Sequence, residues 1–156
     1  LPADVTVKET EAVGKLKKLG ARVTLDDKDR VVGVNLGERK VTDDDLVHLK
    51  GLRHLRELDL TRTKVTGAGL KHLKDLTSLQ TLYLTDTKVD DAGIAHLKGM
   101  KSLSLLALSG TKISDSAVDH LRQMTGLRQL FCLATGVTDD GAKKLKRALP
   151  KCEITR

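Results

Sequence analysis

The chain is almost empty of aromatic side chains: its 156 residues include no Trp, one Tyr and one Phe. A single-strand nucleic-acid binder needs stacking platforms, so the net charge of +7 is not taken as a nucleic-acid footprint. Cysteine is scarce as well. Cys132 and Cys152 are too few for a disulfide framework and form no CxxC pair for a metal or redox centre. No apolar run approaches the roughly 20 residues that span a bilayer. The opening "LPADVTVK" lacks a charged n-region followed by an apolar h-region, which leaves the compartment open between exported and cytoplasmic. Phosphate-cradling patterns such as GxGxxG or GxxxxGK[ST] are missing, and so are a nucleophile beside a base and a carboxylate pair in a cleft. The expectation is a non-enzymatic protein with no cofactor and no bound metal.

Leucine at fixed intervals is what the chain has in quantity. Val31, Leu55, Leu79, Leu103 and Leu127 lie 24 residues apart, as do Val34, Leu58, Leu82, Leu106 and Leu130, and then Leu36, Leu60, Leu84, Leu108 and Cys132. Together they spell LxxLxL five times. Five residues later Val41, Val65, Val89, Ile113 and Val137 recur, followed by apolar pairs at a spacing of three such as Leu46/Leu49 and Leu70/Leu73. Each unit thus changes period from strand-like alternation to helical spacing. Thr42, Thr66, Asp90, Ser114 and Thr138 stand between the two as N-caps, with an acidic residue often next, suited to the positive end of a helix. One unit cannot bury its leucines alone, so the units must stack.

The segments "LTSLQTLYLTDTKVDDAGIAHLKGM", "GAGLKHL" and "DAGIAHL" resemble bacterial leucine-rich repeats of 24 residues with a GALA-like helix. The resemblance covers residues 31–150 and implies an α/β solenoid, with a parallel sheet on the inner face and short helices on the outer one. It also implies a binding module for a protein or peptide. Where the general family pattern carries Asn at the strand's turn, this chain has Thr63, Thr87, Thr111 and Thr135. Their hydroxyls can bond a neighbouring backbone group, so the ladder should survive.

The ends read as caps on a single domain, residues 1–156. Within the N-terminal cap, 1–30, a Thr6/Glu9 capping box starts a helix over 6–19 that places Val13, Leu16 and Leu19 on one side and stops at Gly20. "ARVTL" and "RVVGVNL" then form a hairpin leading into the five repeats of 31–150. "DDGAKKLKRAL" reads as an amphipathic helix halted by Pro150, and 151–156 supplies a last strand.

Strand alternation assigns the ligand face. Residues between the inward leucines point out, in columns Gly33/Glu57/Thr81/Leu105/Gln129, Asn35/Asp59/Tyr83/Ala107/Phe131/Thr155 and Gly37/Thr61/Thr85/Ser109/Leu133. Tyr83 and Phe131 share the middle column two strands apart, roughly 10 Å by strand spacing, and the small Ala107 between them suggests a slot. With Leu105 and Leu133 they make an apolar patch, rimmed by Asn35, Glu57, Asp59, Thr81 and Gln129. Aromatic anchors with a polar rim suit a protein or peptide partner. Carbohydrate or cell-envelope recognition, and self-association through the same patch as a weak homodimer, remain the alternatives to a monomeric binder. Positive charge gathers elsewhere, at Lys40, Lys64, Lys88 and Lys112 beside the strand ends and in "KKLKR" of the last helix. His48, His72, His96 and His120 recur one per helix, too widely spaced for a tight tetrahedral site, and are expected as half-buried groove fillers. Cys132 and Cys152 are expected to be free thiols.

Overall fold

The computed structural model describes residues 3–156, with side chains described from residue 9 onward. Helix α1, Ala3–Lys18, starts three residues before the expected cap at Thr6, whose side chain lies outside the described residues. Leu16 is fully buried, and Val13 and Leu19 pack against the core. The helix ends where Gly20 takes φ +85°, a left-handed conformation that costs glycine little.

Strand β1, Arg22–Leu25, pairs antiparallel with β2, Val31–Asn35. Asp26 closes the turn between them by accepting from the Lys28 and Arg30 amides and the Arg30 guanidinium. Those bonds hold its carboxyl well below the usual carboxylate range. Strands β3 (Glu57–Asp59), β4 (Thr81–Tyr83), β5 (Leu105–Ala107), β6 (Gln129–Phe131) and β7 (Glu153–Thr155) follow in parallel. The seven strands stand in chain order in one open sheet. From β2 to β7 each strand meets the residue 24 positions on, as Leu58↔Leu82 and Leu82↔Leu106 show. That register buries the leucine columns completely.

The outer face carries the short helices expected, and several of them are 3-10 helices. Asp43–Leu49 and Gly67–Leu73 are 3-10 helices. Two short α-helices, α2 (Asp91–Ile94) and α3 (Val118–Leu121), adjoin the 3-10 turns Ala95–Leu97 and Asp115–Ala117, and a longer α-helix comes only with α4, Asp139–Ala148. Width explains this. An α-helix with its side chains is about 10–12 Å across, whereas strands on the other face advance only about 4.8 Å per unit; the slimmer 3-10 turn reduces the mismatch.

Three polar ladders fix the turns, and the second and third of them tie neighbouring units together. The buried hydroxyls of Thr63, Thr87 and Thr111 donate to the carbonyls of Leu60, Leu84 and Leu108 at 2.6–2.7 Å, and Thr135 does the same to Cys132. Immediately before each of these threonines, and before Arg39 at the equivalent place in the first unit, the chain turns through positive φ, at Glu38, Arg62, Asp86, Gly110 and Ala134. The first four of these amides donate across to the following unit, for example Arg62 N to the Thr85 carbonyl at 2.9 Å. Finally, the carboxylates of Asp43, Asp91 and Asp115 each accept both the amide and the hydroxyl of the next unit's cap, Thr66, Ser114 and Thr138, at 2.6–2.8 Å. The expected caps do work within their own units: Thr66, Asp90, Ser114 and Thr138 accept from amides at 3.0–3.2 Å. Thr42 departs from them, its amide and hydroxyl both donating to Asp45.

Candidate functional site

Parallel register lays the outward residues side by side. Asn35, Asp59, Tyr83, Ala107, Phe131 and Thr155 face one another in succession across β2 to β7, and Gly33, Glu57, Thr81, Leu105, Gln129 and Glu153 form the neighbouring row. Tyr83, Leu105 and Phe131 are half-buried, and Leu133, just past β6, is 46% exposed. At 5% exposure, Ala107 is not the open slot expected. Its methyl cannot rise to the level of the larger residues about 4.8 Å to either side, so it forms the floor of the apolar patch.

The polar end of the wall is partly committed. Asn35 donates its Nδ2 to Asp59 at 2.9 Å, and the other Asp59 oxygen accepts the Thr61 amide at 2.9 Å. Asn35 Oδ1 in turn accepts from the Gly37 amide. These residues therefore shape the strand ends as well as line the face. Glu57 is exposed and Thr81 and Gln129 are half-buried at the rim. The Tyr83 hydroxyl has its pKa raised, first by burial and then by the Glu57 and Asp59 carboxylates, so it stays protonated as a donor. Beyond Tyr83 the edge is crossed by a charge bridge, Arg62 to Glu38 at 3.0 Å and to Asp86 at 3.3 Å.

Arg22, Thr24, Gly33, Asn35, Arg56 and Glu57 frame a recess of about 420 Å³ at the hairpin end. This was not foreseen from the sequence. Arg22 reaches the face only because β1 pairs with Arg22 opposite Asn35, a register that two short extended stretches do not reveal.

The other expected groups fall outside this face. His48, His72 and His120 are half-buried as expected, whereas His96 is exposed. Among the described residues no group of three or more His, Cys, Asp or Glu side chains comes together in a metal-holding arrangement. Cys132 and Cys152 are free and buried, and burial pushes both thiols up. No described helix is long and apolar enough to cross a membrane.

Residues 51–74 and 75–97 each match the model of the leucine-rich-repeat family. No curated protein matches the sequence. Among solved structures, the PEPR1–AtPEP1 crystal structure is similar with a TM-score of 0.56 at 19% identity, over 85% of this chain and 19% of that one. An LRR protein of Leptospira interrogans gives 0.50 at 19% identity, over 70% of this chain and 33% of its own. The chain thus spans a third or less of the length of these two structures, and at such identity the likeness speaks for the fold. Buried leucine columns, 24-residue register and these matches agree: the chain folds as an open leucine-rich-repeat solenoid.

Proposed function

We propose that this protein is a non-enzymatic binding module that recognises a protein or peptide on its sheet face. The observation that carries this reading is the single outward row holding the chain's only Tyr and only Phe, with Leu105 and the exposed Leu133 beside them and a polar rim of Asn35, Glu57, Asp59, Thr81 and Gln129. Apolar and aromatic anchors inside a polar rim are how protein interfaces gain affinity. A rigid wall loses little entropy on binding, because the three backbone and side-chain ladders already hold it in place. We read the units as GALA-like bacterial repeats on "GAGLKHL" and "DAGIAHL".

Light scattering over a range of concentrations, followed by affinity capture, tests the proposal with wild type, Tyr83→Ala/Phe131→Ala, and a double variant on the opposite side, Lys74→Ser/Arg122→Ser. A monomer whose captured partner is lost only with the wall variant supports it. A dimer dissolved by the wall variant would mean that the patch serves self-association instead. A glycan array that selects the wild type over the wall variant would move the reading to carbohydrate.

A further inference from the structure

The apolar patch of the sheet face does not use the chain's positive charge. Lys40, Lys64, Lys88 and Lys112 are all exposed, each set between or beside buried residues of the same turn column. What the structure adds is rigidity and isolation. The amides of Lys64, Lys88 and Lys112 donate to the carbonyls of Val41, Val65 and Val89 at 2.8–3.0 Å. Parallel bridges Thr66↔Lys88 and Asp90↔Lys112 continue this second ladder. The lysine backbones therefore advance in steps of about 4.8 Å, fixed as firmly as the strands. Among the described residues none of the four ammonium groups lies within ion-pair distance of a carboxylate. The acids nearby make their direct bonds elsewhere: Asp43, Asp91 and Asp115 to the caps of the next units, Asp90 to the Gly93 amide, and Glu38 and Asp86 to Arg62. Like charges set at such a spacing repel one another, and a ligand carrying matched anions relieves that repulsion along the whole row.

We propose that this lysine edge binds a linear anionic polysaccharide, a chain of sugar rings carrying sulfate or carboxylate groups at short, regular intervals. Two competing polyanions fit less well. The edge has no aromatic ring on which a nucleobase could stack, the only Tyr and Phe being on the sheet face. An extended acidic peptide presents same-side carboxylates about every 6.6 Å, twice the strand rise, and falls out of step with the lysines within two or three rungs. Because this site is separate from the sheet face, it stands or falls independently of the function proposed above.

Fluorescence anisotropy with a labelled heparin dodecasaccharide provides the test, at low and at physiological salt. The variants are Lys64→Gln/Lys88→Gln/Lys112→Gln and an equal-charge control, Lys74→Gln/Lys144→Gln/Lys151→Gln, with melting curves on both. Affinity should fall roughly tenfold or more for the edge variant, in keeping with three lost charge contacts, and much less for the control. Arginine at the same three edge positions should preserve binding. Equal losses in the two glutamine variants would overturn the proposal by reducing it to net charge, and an absence of wild-type binding would overturn it outright. A poly-glutamate or oligo-uridine chain of similar length that displaces the heparin equally well would overturn the assignment of ligand class.

Discussion

Gly93 of α2 packs directly against the backbone of Gly67 in the preceding 3-10 helix. A Cβ on Gly93 would collide with the Gly67 Cα and lie 3.1 Å from its carbonyl carbon and oxygen. Both contacts are backbone, so no rotamer change relieves them. Overpacking of this kind costs about 1–3 kcal/mol, and the gain from replacing a helical glycine with alanine offsets about 0.5–1 kcal/mol of it. The equivalent position in the next unit is Ala117, itself fully buried, so the solenoid can open enough to house a methyl there; this keeps the cost near the middle of that range, about 2 kcal/mol. Gly93→Ala should therefore lose about 1 kcal/mol net, a fall in Tm of about 2–4 °C for a chain of this size. Gly14→Ala in α1 is the matched control, since a Cβ there meets nothing within 4 Å; it should gain about 0.5–1 kcal/mol. Urea and thermal unfolding followed by far-UV circular dichroism measure both. If Gly93→Ala proves as stable as Gly14→Ala, the close packing of units two and three is not as described.

Other consequences follow from the ladders. Thr111→Val keeps the shape of a residue only 6% exposed but removes its 2.6 Å bond to the Leu108 carbonyl, and should cost about 1 kcal/mol in urea unfolding. Ala134→Gly relieves a positive φ of 53° in an exposed turn; the strain removed, about 1–2 kcal/mol, exceeds the entropy that glycine adds to the unfolded chain, so Tm should rise slightly. Asp115 has its carboxyl pKa lowered by the Thr138 hydroxyl and then by the Thr138 amide. A group depressed in the folded state contributes stability above its unfolded pKa of about 3.9 and loses it as pH falls through the folded value. Asp115→Ala should thus be less stable than wild type at neutral pH, with the gap narrowing under acid; a gap that widened below pH 4 would mean that the Thr138 bonds do not favour the ionised carboxylate.

The sheet was legible because its evidence is repeated. Five copies of LxxLxL at one spacing leave a single register that buries every leucine, and alternation then assigns Tyr83 and Phe131 to the outer row. The helices were less legible, since apolar pairs three apart such as Leu46/Leu49 suit an α-helix and a 3-10 turn alike, and only the spacing of neighbouring units decides between them. Asp91 could be read as a helix-end charge but not as the partner of Ser114, which lies 23 residues on. The left-handed column carries glycine only at Gly110, while Glu38, Arg62, Asp86 and Ala134 give no local signal of positive φ. At the candidate site the columns and their composition could be read, but the closed floor at Ala107 and the Asn35–Asp59 bond depend on side-chain packing across strands.

The most direct test of the central claim, that the sheet face is where the partner binds, is site-specific photo-crosslinking. A benzophenone side chain is installed either at Thr81 on the wall or at Lys98 beyond the outer turn, and the protein is irradiated with its captured partner. The account predicts a crosslinked species from position 81 that disappears when Tyr83 and Phe131 are alanine, and none from position 98. Crosslinking from position 98 alone, or from 81 with no dependence on the two aromatic residues, would contradict it.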